Sequence, residues 1–162
     1  MRELCSKLRR TLYSLAKPIL ICYSAALACM ALRLAFRADR QPVTVHDGPG
    51  LDEILNEASK EARIRNLLGG VLITADNHNE ITIVVGGEET VLTFESGDGN
   101  PPYYASRGTF NADETTMTCY LLLQHHTEFP RRNVIPFADG FNAVREFLVT
   151  GARPACINWE RV

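Results

Sequence analysis

The sequence predicts an α+β domain: a mostly antiparallel sheet of about five to six strands with two main helices packed on it. Three observations lead there. Two segments, residues 51–65 and Phe137–Thr150, carry apolar side chains at helical spacing. Three β-branched, alternating runs crowd into residues 70–95 with only short turns between them, which describes an antiparallel meander. A further apolar run at 116–124 and a final alternating stretch ending at Trp159, the single tryptophan, supply the remaining strands.

The elements follow in order. Residues 31–37 alternate Leu32, Leu34 and Phe36 against Arg33, Ala35 and Arg37 and read as a first strand; Val43-Thr44-Val45 follows Pro42. After the loop His46-Asp47-Gly48-Pro49-Gly50, a helix is expected over 51–65, with Leu51, Ile54, Leu55, Ala58 and Ala62 on one face. Asp52 and Glu53 fall in its expected first turn, Lys60, Arg63 and Arg65 in its last, as the helix dipole favours, and Asn66 with Gly69-Gly70 stops it. Strands at 70–75, Glu80–Val85 and 90–95 are separated by Asp76-Asn77-His78-Asn79 and Gly86-Gly87. Their buried face should hold Val71, Ile73, Ile81, Ile83, Val85 and either Val91 or the Leu92/Phe94 pair. The run 116–124, apolar on both faces, is expected at a central position in the sheet. In the second helix Phe137, Phe141, Val144 and Leu148 form the stripe, widened by Ala143 and Phe147, and Gly151 is the left-handed stop. Arg153-Pro154 then launches a last strand in which Ala155, Ile157 and Trp159 alternate with Cys156 and Asn158.

A chain of 162 residues, 46% of them hydrophobic, can bury one substantial core. Its net charge of −2 conceals an asymmetry. Residues 1–40 hold eight basic side chains against two acidic ones, a balance of +6, whereas the rest hold nine basic against seventeen acidic, a balance of −8. An acidic domain repels nucleic acid and suits a basic protein partner.

The domain is expected over 30–162, with 1–29 as a basic, apolar extension. Residues 18–32 are an uncharged apolar run of fifteen, short of the roughly 20 that a spanning helix needs. Three readings of the extension stay open: translation starting at Met30, a secretory or anchoring segment, or an extra helix on the domain. Membrane contact, on this reading, runs only through residues 1–32; otherwise the protein is expected in the cytoplasm.

No catalytic, cofactor or metal motif emerges. His125, His126 and Glu128 are the nearest approach to a chemical cluster, but adjacent residues of a strand point to opposite faces, and only His46 and His78 remain as further imidazoles. The five cysteines form no CxxC pair. Cys119 and Cys156, expected in mid-strand, should be buried and inert. Neither glycine pair is followed by the Lys-Ser/Thr of a phosphate cradle. A small enzyme using His125, His126 and Glu128 is the competing reading. The loop 96–107, Gly- and Pro-bearing with Tyr103 and Tyr104, has the length and composition of a recognition loop.

Glu128-Phe129-Pro130, Val134-Ile135-Pro136, Arg145-Glu146-Phe147-Leu148, Thr150-Gly151, Arg153-Pro154 and Trp159 together resemble a family of immunity proteins of bacterial polymorphic toxin systems, the first catalogued in that series and actinobacterial in type. The resemblance covers roughly 30–162 and is strongest in the last forty residues. It implies a small α+β protein that binds and neutralises a cognate toxin domain, often a deaminase or nuclease, and so protects the producing cell. Such toxins tend to be basic because they grip phosphates. The expected contact surface is Glu95, Asp98, Tyr103 and Tyr104 of the loop region together with His126 and Glu128. Phe129, Pro130, Pro136, Arg145, Phe147, Leu148, Gly151, Arg153, Pro154 and Trp159 are expected to hold the fold.

Overall fold

The computed structural model describes residues 30–110 and 116–162. The expectations for residues 1–29, with Cys5, Cys22 and Cys29, lie outside the described residues.

β1 (Leu32–Ala35) buries Leu32 and Leu34 and pairs antiparallel with β2 (Val43–Val45). α1 (Gly48–Ile64) starts three residues before its expected position. The Asp47 side chain accepts the Gly50 N–H at 2.8 Å, and Pro49 sits where the first turn has no N–H to lose. Asp52 and Glu53 therefore leave the first turn, and Asp52 serves an ion pair with α2 instead. β3 (Gly69–Ala75), β4 (Glu80–Val85), β5 (Glu89–Thr90) and β6 (Leu92–Glu95) form the meander, and β7 (Tyr104–Ser106) returns along β6.

β8 (Thr116–Leu121) and β9 (His125–Pro130) make a hairpin in which the sequence suggested a central strand followed by a polar loop. The strand stops at Leu121 because Leu122 and Leu123 adopt left-handed φ values of 50° and 58°, which turn the chain back. β8 meets β3 over Gly69 and Gly70 only, in parallel. Met117 and Cys119 are buried while Thr116 and Thr118 are exposed, so it has one buried face and lies beside the main strand path. A short 3₁₀ turn, Arg131–Asn133, leads to β10 (Ile135–Pro136), which pairs with β5. α2 (Phe137–Thr150) ends at Gly151, whose φ of 58° closes the helix with an N–H to the Phe147 carbonyl at 2.7 Å. β11 (Trp159–Arg161) is shorter than expected: the Glu146 carboxylate takes the Ala155 and Cys156 N–H groups at 2.7 and 3.1 Å, so they are not available to a neighbouring strand. Cys156 is consequently exposed rather than buried.

Among the described residues the main sheet has nine strands, more than expected, on the path β11-β7-β6-β4-β3-β1-β2 with the β8–β9 hairpin attached to β3. Both helices cover one face. Leu51, Leu55, Ala58 and Ala62 of α1 and Ala143, Val144, Phe147 and Leu148 of α2 close over Val71, Ile73, Ile81, Ile83, Val85, Leu92 and Phe94. Phe137 and Phe141 flank that stripe half-buried. On the second face Met117, Cys119 and Val134 pack on Val84 and Val91. Val91 and the Leu92/Phe94 pair are thus both buried, on different faces, where the sequence offered them as alternatives.

Candidate functional site

The register of the β4–β6 pair, centred on the turn at Gly86-Gly87-Glu88, places Glu80 directly opposite Glu95. Like charges at opposed positions repel. Burial, then the charge of Glu95, pushes the Glu80 carboxyl above the usual carboxylate range. Thr74 donates its hydroxyl to Glu80 at 3.4 Å, and neither glutamate has an ion pair among the described residues.

The loop from Ser96 to Tyr103 continues from Glu95. The Gly97 N–H donates to Asn79 Oδ1 at 2.8 Å, tying it to the β3–β4 turn. Asp98 is exposed; the Ser96 hydroxyl and the Asn100 N–H donate to it and hold its carboxyl below its ordinary value. Tyr103 donates its hydroxyl to the Gly99 carbonyl at 2.9 Å. Glu95, Asp98 and Tyr103 therefore come together at the end of the sheet where β3 finishes. Tyr104 does not join them: as the partner of Phe94 it points to the helix side, with ring centroids 6.5 Å apart and the Arg153 guanidinium 3.8 Å from its ring centre.

His126 and Glu128 lie 3.6 Å apart on β9, both about half exposed, with His126 edge-on to Tyr120. Tyr120 is registered with Gly69, the first residue of β3, whereas Glu95 reaches β3 through Glu80 and Thr74 near its end. The two patches are thus separated along β3 by roughly 15–20 Å at a strand's rise per residue. They also face opposite sides of the sheet, since Gly69 and Thr74 point to opposite faces. The surface expected from sequence is two patches.

The remaining motif residues make contacts within the chain. Phe147 and Leu148 are buried. Arg145 bridges α2 to Asp52 of α1 at 2.5 Å and lies over Phe141. Trp159 donates its indole N–H to the Pro154 carbonyl at 2.7 Å and packs edge-on against Phe94. Phe129 packs against the second-face cluster, Pro130 precedes the 3₁₀ turn, and Pro136 immediately precedes α2. Glu160, which the sequence reading did not single out, accepts from Arg107, Arg132 and Asn133 at 3.1, 2.9 and 2.6 Å. Glu80 was also missed; its signal was the symmetry of Glu80 and Glu95 about a short turn.

A cleft of about 530 Å³ opens between β10 and the segment before β11, lined in part by Glu88, Phe110, Ile135, Asp139 and Cys156. Partial desolvation and the Glu146 carboxylate push the Cys156 thiol up to about 11; burial alone does so for Cys119. Thiols so shifted are poor nucleophiles at neutral pH. Among the described residues no three His, Cys, Asp or Glu side chains converge as a metal site. No helix among them is long and apolar enough to cross a membrane.

A family model described as immunity protein Imm1 matches residues 39–161. The chain belongs to the Imm1 family. The match takes in all of the motif residues from Glu128 to Trp159 and both surface patches, and it begins after β1. No match to this Imm1 chain is found among curated proteins.

Proposed function

We propose that this Imm1 protein binds the toxin domain of a bacterial polymorphic toxin system in the cytoplasm and neutralises it without catalysis of its own. Membership of an immunity-protein family is the observation that carries the reading. Charge supports it: residues 41–162 carry a balance of −8, and Glu80, Glu95 and Asp98 sit at one end of the sheet without basic partners among the described residues. A toxin that acts on nucleic acid, a deaminase or nuclease, presents cations to phosphates. An acidic inhibitor meets those same cations and is steered towards them, and it does not itself bind nucleic acid. Glu95, Asp98 and Tyr103 form the principal contact, with His126 and Glu128 as a second patch and Tyr104 supporting from within.

Co-expression tests the reading. The toxin domain encoded beside this gene is induced in bacteria with and without the full chain, and survival is counted. The protein should restore growth. Equal killing in the presence of soluble, folded protein overturns the proposal.

A further inference from the structure

β9 is an edge strand: among the described residues its six residues pair with β8 alone. The strands that end the main path, β2 and β11, have three residues each. An edge offers its free N–H and C=O groups to any second strand, and natural sheets blunt it with short length, proline, lysine or a bulge. None of these interrupts β9 before Pro130, and its register with β8 is unbroken from His125 to Pro130. His125, His126 and Glu128 are exposed, and Thr127 and Phe129 are half-buried.

The direction of the free groups follows from β8. The Tyr120 and Leu122 N–H groups donate to the Leu68 and Gly70 carbonyls at 2.9 and 3.3 Å, so these residues turn their peptide groups towards β3. Cys119 and Leu121, between and beside them, therefore turn theirs towards β9, where they stand opposite Thr127 and His125. That leaves the N–H and C=O of His126 and Glu128 pointing outwards. Opposed side chains of an antiparallel pair share a face, so a two-fold axis between two copies of β9 must pass through a residue. An axis at His126 sets two imidazoles face to face, and one at Glu128 sets two carboxylates face to face, which repel. An axis at Thr127 sets His126 of each copy against Glu128 of the other. The outward N–H and C=O groups of these same residues then make the ladder, Thr127 meets Thr127, and His125 meets Phe129. Pro130, with no N–H to give, ends the pairing.

We infer that two copies of this chain associate through β9, paired antiparallel about a two-fold axis at Thr127. The occupant of the edge is the strand itself, and its charge pattern is complementary to its own reverse in that one register. The inference does not rest on the toxin reading. The His126 and Glu128 side chains stay on the exposed face of the joined sheet, and Glu95, Asp98 and Tyr103 of each copy stay free. A single strand pair is a small interface, so dimer and monomer should exchange rather than form a permanent assembly.

The test is sedimentation equilibrium of the full chain over a concentration series, with circular dichroism showing that each variant is folded. The wild type should dimerise as concentration rises. His126→Glu, which sets carboxylate against carboxylate in both pairs, should weaken the dimer by about tenfold or more. His126→Glu combined with Glu128→His restores opposed unlike pairs in reverse and should recover the wild-type constant to within about threefold. Glu128→Pro removes an outward N–H that β8 does not use and should abolish the dimer. If that variant does not fold, the charge series decides alone. A wild type that stays monomeric overturns the inference. So does a dimer that His126→Glu forms equally well, or one that the swapped variant fails to recover, since the contact then lies elsewhere or in another register.

Discussion

Arg153 lies over Tyr104, its guanidinium carbon 3.8 Å from the ring centre. The connection between α2 and β11 is thereby fastened to β7. From sequence the two residues were assigned different tasks, Arg153 to the fold and Tyr104 to the toxin. The contact joins them in one packing unit with Phe94 and Trp159. Arg153→Ala should lower stability by about 1 kcal/mol, and Tyr104→Ala by more because a ring is also lost. A double-mutant cycle read by urea denaturation should show the two effects coupled. Additive losses would mean that the stack contributes nothing.

Glu160 gathers Arg107, Arg132 and Asn133 at the junction of β11, β7 and the 3₁₀ turn. Burial opposes its ionisation, but the hydrogen bonds from Arg132 and Asn133 and the two nearby charges outweigh it and hold the carboxyl below the usual range. Folding therefore favours the ionised form. The contribution is present above the unfolded value of about 4.3 and is lost as pH falls through the lower folded value. Glu160→Gln should lower stability at pH 7 by about 1–3 kcal/mol. It should also lose less than the wild type between pH 5 and pH 3, measured by urea denaturation at each pH.

Gly108 and Gly48 make opposite cases. A Cβ on Gly108 would fall inside the contact radius of the Val134 carbonyl oxygen, a backbone atom, while the Gly108 N–H holds the Arg132 carbonyl at 2.7 Å. Around Gly48, in the first turn of α1, a Cβ meets nothing apart from its chain neighbours. Gly108→Ala should cost about 2 kcal/mol or more. Gly48→Ala should cost less, under about 1 kcal/mol, because only the adjacent Pro49 ring crowds a Cβ held there in helical conformation. Melting temperatures of the two variants decide it.

The meander and both helices were legible because their signals are local. The 3.6-residue stripe of α2, the left-handed stop at Gly151 and the alternation through Ile81, Ile83 and Val85 each need only a window of neighbours. What was hidden depends on partners far along the chain. Nothing near Ala155 announces that Glu146 will take its N–H and shorten the last strand. Nothing at Leu122 and Leu123, two bulky residues, suggests a left-handed turn that would fold 125–130 back into a hairpin. That hairpin carried His126 and Glu128 to the other end and the other face of the sheet from Glu95. The Glu80–Glu95 opposition was readable in principle but required the register, which one residue of slip would have destroyed.

The exposed Cys156 should behave as a sluggish thiol. With Cys5, Cys22 and Cys29 replaced by serine, its alkylation by iodoacetamide at pH 7.5 should be well below that of a free cysteine peptide, rising as pH approaches about 11. Glu146→Gln should accelerate it by removing the adjacent negative charge, and labelling followed by mass spectrometry reads the rate. An unchanged rate in that variant would contradict the role given to Glu146.

Hydrogen–deuterium exchange of the full chain with and without the toxin domain encoded beside it tests the central claim most directly. Binding at the acidic end of the sheet predicts slowed exchange through residues 78–82 and 93–105, with residues 137–150 of the second helix unchanged. Protection confined to the helices, or exchange unaltered at a concentration of toxin that should saturate the complex, would contradict the account.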